Sequence, residues 1–124
     1  MEMKDVLIYA NKLKKYCSKE TCYPKQCDFW SEENPFLGHS AIIELCIHSR
    51  FGGKICRGEV DGSKESHYWN EIDEEMVDVT KVQFGDGVEI KFANYKIKKE
   101  MLKNKNFKER YLKFTDKLKK DFVV

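Results

Sequence analysis

Proline and glycine are scarce, two and seven among 124 residues, which excludes a collagenous, low-complexity or linker-dominated chain. Long apolar runs are missing too, and nothing approaches the roughly 20 consecutive apolar residues that span a bilayer. The opening Met1-Glu2-Met3-Lys4-Asp5 is followed by no apolar block with a small-residue cleavage site. No secretion signal is therefore read, and a cytoplasmic location away from membranes is expected. Phosphate loops are absent as well. Gly52-Gly53 and Gly85-Asp86-Gly87 lack the spaced glycines and the following Lys-Ser/Thr that cradle a nucleotide. No flavin or nicotinamide signature is present, and no cofactor is expected. Histidine is rare, with His39, His48 and His67 alone. What remains is a chain with 35% charged and 41% hydrophobic residues. It reads as one domain over residues 1–124, long enough to bury roughly two thirds of its unfolded surface.

The five cysteines are an odd number in a chain without a signal, which speaks against a disulfide framework. Cys17, Cys22 and Cys27 recur every five residues, not at the two-residue spacing of common zinc knuckles. Zinc held by these three with His39 is the minor alternative to small semi-buried side chains, and no metal is expected. The net charge of +2 is unevenly placed. Residues 1–95 carry 12 basic and 17 acidic side chains, whereas residues 96–124 carry 11 and 4. A basic C-terminal helix invites a nucleic-acid reading. Arg110 is its only arginine, however, and base readout favours arginine or amide side chains. The lysines are read as a solvated face, and nucleic acid is not expected.

Met3, Val6, Leu7, Ala10, Leu13 and Cys17 form one stripe, which predicts an amphipathic helix over residues 3–17. Residues 18–39 read as a long connection anchored by Trp30, Phe36 and Leu37, with a short helical turn near 18–22. Loops of this length usually carry function, which points to a cleft here. Residues 40–51 are apolar nearly all round and predict a central helix covered on several sides, stopped by Gly52-Gly53. Strands follow at 54–60, 66–72 and 75–79, turning at Asp61-Gly62 and Asp73-Glu74. Thr80 and Gln83 match a capping box. Val88, Ile90 and Phe92 alternate with charged residues, giving a fourth strand or the start of a helix. A short helix at 97–103 precedes the last one, 105–121, whose Phe107, Tyr111, Phe114 and Leu118 face inward. The pattern is α+β: helices packed on a small antiparallel sheet of three or four strands.

If Asp73-Glu74 forms a two-residue loop, Ile72 pairs with Glu75 and Trp69 sits opposite Asp78. His67, Trp69, Asp78 and Thr80 then share a face of the sheet. His67 and Asp78 become diagonal neighbours, near enough for a carboxylate to orient an imidazole, as in a general-base relay. Ser40 opens the central helix after Gly38-His39. Helix amides there favour negative charge on an attacking group or an oxyanion. Serine is equally an ordinary N-cap.

The stretches Trp30 to Ala41, Gly52 to Arg57, Ser66-His67-Tyr68-Trp69-Asn70 and Val77-Asp78-Val79-Thr80-Lys81-Val82-Gln83-Phe84 resemble the YunG-like family of small bacterial proteins, over about residues 5–115. The resemblance implies a papain-like or transglutaminase-like minimal core. The family's nucleophilic cysteine, in a Gly-Gln-Cys-Ala pattern, falls on Ser40, its histidine on His67 and its aspartate on Asp78. Asn34, six residues before Ser40, matches the amide that supports an oxyanion in papain-like enzymes. Two departures matter: His39 stands at the glutamine and Ser40 at the cysteine. A thiol titrates near ~8.5 and a histidine lowers it further, whereas a serine hydroxyl forms no such stable anion. The implied function is a thiol-hydrolase-type scaffold for amide, peptide or thioester substrates, by hydrolysis or acyl transfer, weak or inactive with serine at residue 40. None of Cys22, Cys46 or Cys56 is placed to substitute. Trp30, Tyr68 and Trp69 are candidate cleft walls. The alternative is a non-catalytic module that binds a peptide, or an anion held by the basic final helix. It predicts Ser40 as a buried cap and His67 as a packed core residue, with no cleft joining them.

Overall fold

Helices α1 (Met3–Leu13) and α2 (Ser40–Phe51) precede strands β1 (Lys54–Val60), β2 (Ser66–Ile72), β3 (Glu75–Val77) and β4 (Ile90–Lys96), and helices α3 (Lys98–Met101) and α4 (Lys105–Phe122) follow them. They are seen in a computed structural model that describes residues 2–60, 66–81 and 88–122. The α+β expectation holds, with a four-stranded antiparallel sheet in the order β3-β2-β1-β4. The Asp61-Gly62 turn, Gly85-Asp86-Gly87 and Gln83 of the capping box lie outside the described residues. Among the described residues, no helix is long and apolar enough to cross a membrane.

The central helix has the predicted limits because its two ends are chemically marked. Ile42, Ile43, Leu45, Cys46 and Ile47 are all buried, so it is covered on several sides. Gly52 then takes φ +79 and its N–H donates to His48 O at 2.8 Å. Gly53 takes φ +81, and a side chain there would collide with the carbonyl oxygen of Glu71.

The hairpin register is the one expected, Ile72 with Glu75 and Asn70 with Val77. Asp73 and Glu74 both have positive φ, 51° and 68°, as the mirror-image turn of a two-residue loop requires. Across the β1–β2 ladder Ile55 faces Asn70 and Arg57 faces Tyr68, while Cys56 faces Trp69 and Gly58 faces His67. Paired residues share a face. The first set looks toward α2, because Asn70 Nδ2 donates to Glu44 O of that helix at 3.0 Å. The second set lies on the opposite face. There Trp69 covers Gly58 and meets Phe92 of β4 edge-on, at 6.2 Å between ring centroids.

Three boundaries differ from expectation. The first helix ends at Leu13, and Lys14–Tyr16 tighten into a 3₁₀ turn before Cys17 becomes extended. That turn sends Tyr16 to α4, where its hydroxyl donates to Asp121 Oδ2 at 2.6 Å and its ring meets Phe114. The third strand stops at Val77, not at residue 79. Asp78 turns to His67, and Thr80 reaches Glu44 on α2, so the chain leaves the ladder around its edge. The helix expected over 97–103 is the single turn of α3.

Candidate functional site

A cleft of about 820 Å³ opens beside the first turn of α2, within the size range of small-molecule sites. Ser40 and Ala41 form one wall, Tyr68 and Ser66 of β2 another, and Phe107 and Arg110 of α4 a third. Residues 23–26 of the long connection close it, as the length of that loop foretold. Ser40 is 8% exposed. His39, not Ser40, occupies the N-cap position, and among the described residues no side chain caps the helix. Ser40 is therefore not the N-cap but the first residue of the helix proper, beside the cleft.

The wall next to Ser40 is held by a chain of polar contacts. Cys22 Sγ donates to Leu37 O and Tyr23 N–H to Gly38 O, zipping two loop segments together. Gly38 takes φ +71 there, and a side chain would strike Cys22 Sγ and the Tyr23 amide. The fully buried His39 ring sits behind this seam, with Nδ1 2.8 Å from Leu37 O and Nε2 2.8 Å from Thr21 Oγ1. A carbonyl only accepts, so Nδ1 carries the proton and Nε2 accepts from the threonine hydroxyl. Burial, opposed by the Leu37 bond and helped by Arg110 and Lys117, pushes the His39 pKa down to about 4, and the ring is neutral.

Arg110 completes the chain from α4. Its Nη1 donates to Thr21 O at 3.2 Å and its Nε to Asn106 Oδ1 at 2.8 Å. The guanidinium also lies over the Tyr23 and Phe107 rings, 5.6 and 5.7 Å from their centroids. Burial lowers its pKa, yet a guanidinium stays charged. Among the described residues no carboxylate pairs with it.

His67 and Asp78 meet as the register predicts: Nε2 donates to the Asp78 carboxylate, 2.9 Å from one oxygen and 2.8 Å from the other. His67 is fully buried and stacks on Trp69 at 6.2 Å. Strand alternation, however, sets this pair on the sheet face opposite Tyr68 and Asn70. Tyr68, not His67, lines the cleft with Ser40. The structure thus joins two of the four predicted site residues, His67 and Asp78, while Ser40 lines the cleft and they do not. Asn34 sits in a turn whose amide donates to Ser31 O, away from the cleft lining. Of the three candidate wall aromatics only Tyr68 lines the cleft. Trp30 donates from Nε1 to Pro35 O at 3.0 Å.

Cys17, Cys22 and Cys27 each turn to a different backbone carbonyl, those of Leu13, Leu37 and Pro24. Among the described residues, no group of three or more His, Cys, Asp or Glu gathers as a metal ion requires. Burial pushes the thiols of Cys17 and Cys46 up to about 12 and that of Cys22 up to about 11, so none is a ready nucleophile.

Two residues of consequence were not singled out from the sequence. Arg110 falls three residues after Phe107 and four before Phe114, on the inward stripe of its helix, so periodicity already excluded a solvated position. Glu44 is the lone charge in the apolar run of α2 and is fully buried beneath the site. Thr80 Oγ1 donates to its Oε1 at 3.5 Å, while its Oε2 and the nearby Asn70 Oδ1 have no partner among the described residues. Burial first, then the Asp78 charge, raise its pKa well above the usual carboxyl value.

A family model described as YunG protein matches residues 6–123, and the chain belongs to that family. No curated protein and no solved structure matches it.

Proposed function

We propose that this YunG-family chain is a non-catalytic binding module whose cleft at the start of α2 holds an anionic group. One observation carries the reading: a half-buried guanidinium, Arg110, faces the cleft without a carboxylate partner among the described residues. Desolvating a cation without an anion is costly, and the cost is recovered when a ligand supplies the charge. Arginine has five N–H donors, and Thr21 and Asn106 take two of them. The rest remain for a ligand. The first-turn amides and positive end of α2, a twelve-residue helix, add to the same field.

Thermal denaturation in the presence of millimolar anions tests this reading. A cleft anion raises the Tm of the wild type and leaves Arg110→Gln unmoved. Equal shifts in both proteins would remove the assignment.

A second reading keeps the acyl-transfer site of a papain-like core, with Ser40 as nucleophile, His67 as base and Asp78 as orienter. The imidazole–carboxylate pair favours it. It further requires the His67 ring within reach of the Ser40 hydroxyl, and the parity of β2 argues against that approach.

A further inference from the structure

We infer that the ligand of the cleft is a carboxylate carried on an apolar body, such as an aromatic carboxylic acid or the last residue of a peptide. The inference rests on the anion-binding reading and narrows its chemistry. Three features of the cleft select this class over phosphate.

The first is the nature of the half-buried cation. A single guanidinium, fixed by two neutral acceptors and two aromatic faces, presents a planar fork that matches a carboxylate edge to edge. The second is Glu100, which lines the same cleft as Lys25 and Lys96 and offsets the charge of one of them. Its charge repels a dianion more than a monoanion, and it attracts an ammonium group if the ligand carries one. The third is the wall chemistry. Tyr68, Phe107 and Met101 offer apolar surface next to Arg110, and a cavity of about 820 Å³ is far larger than any inorganic anion. A carboxylate on Arg110 and the α2 amides therefore leaves room for its own apolar remainder against these side chains.

The test is isothermal titration of the 124-residue chain, at low salt, with N-acetyl-L-phenylalanine, N-acetyl-L-phenylalaninamide and inorganic phosphate. The acid should bind at least about tenfold more tightly than the amide, the effect of one charge-assisted pair. It should also bind more tightly than phosphate. Arg110→Gln should abolish the difference between acid and amide, and Arg110→Lys should restore only part of it. Circular dichroism on each variant establishes that it is folded, and the wild-type ranking stands even where a variant is not. Tighter binding of free phenylalanine than of the acetylated acid marks Glu100 as an ammonium partner and supports a free amino acid. Tighter binding of a short peptide ending in phenylalanine supports a chain terminus. Equal affinity for acid and amide overturns the inference, as does phosphate binding above the acid. The latter leaves the anion-binding reading standing. Failure of all three ligands to bind, together with no anion-dependent rise in Tm, removes both.

Discussion

Replacing Glu44 with glutamine should change the way stability depends on pH. The Glu44 carboxyl is fully buried, near the Asp78 charge, and among the described residues accepts only a 3.5 Å bond from Thr80. Both burial and Asp78 favour its neutral form, so its pKa in the folded chain lies well above the ordinary 4.5. The contribution of this proton is fully present below 4.5 and is lost as pH rises toward the folded value. The slope is about 1.4 kcal/mol per pH unit, because the folded chain keeps a proton that the unfolded chain releases. His39 acts in the opposite sense. Its pKa falls from 6.5 to about 4 on folding, so the unfolded chain binds the extra proton across that window. Stability from this ring is present above 6.5 and is lost on acidification, worth about 3 kcal/mol over the window.

Between pH 4.5 and 6.5 the two slopes oppose each other, and above 6.5 only the loss due to Glu44 continues. In Glu44→Gln the carboxyl slope is gone and the His39 rise stands alone. The stability of the variant relative to wild type should therefore grow by about 1.4 kcal/mol per unit above 4.5 until the folded pKa is passed. Urea unfolding at half-unit steps from roughly pH 4 to 8, under reducing conditions, measures this difference directly. A stability difference that stays constant across the range would refute a buried neutral carboxyl at this position.

Ser40→Cys places a thiol beside the cleft, among native cysteines whose buried thiols titrate high. Its iodoacetamide rate profile against pH should be unchanged when His67→Asn is added, since Tyr68 and not His67 lines the cleft. A thiol pKa that rises when His67 is removed would revive the acyl-transfer reading. Glu74→Gly should stabilise the hairpin by about 0.5–1 kcal/mol, because a left-handed residue without a Cβ avoids a cost that exceeds glycine's entropic loss. Differential scanning should show a Tm increase of about 2–4 °C, and a decrease would mean that the turn is not held at positive φ.

The parts of the fold legible from sequence were those whose signals are local. The Gly52-Gly53 stop and the tight Asp73-Glu74 loop set the limits of α2, β1 and β2, and with them the hairpin register and the contact of His67 with Asp78. The ends of α1 and β3 answer to distant partners instead. Tyr16 turns to Asp121 and Thr80 to Glu44, contacts that no local window contains. The relation of Ser40 to His67 depended on a different missing fact. Alternation along β2 tells which residues share a face but not which face the helix covers. That choice is usually made by the apolar side of the strand. Here both sides are buried, Trp69 and His67 on one and Asn70 and Ile72 on the other, so the usual cue is absent.

The missed arginine follows from a related weakness of composition arguments. A run of eleven basic residues over positions 96–124 reads as one solvated surface when its charges are summed. Summing discards the angular position of each side chain, and position is what separates Arg110 from its neighbours. Lys105, Lys108, Lys113, Lys119 and Lys120 are exposed, while Arg110 occupies the stripe of Phe107 and Phe114 and turns into the cleft. Lysine in its place would have a compact, strongly hydrated ammonium to desolvate, with no fork to divide between Thr21, Asn106 and a ligand. Arg110→Lys should accordingly keep the charge and the fold but lose part of the preference for a carboxylate over its amide. Retention of the full preference would mean that charge alone, and not the geometry of the guanidinium, selects what the cleft holds.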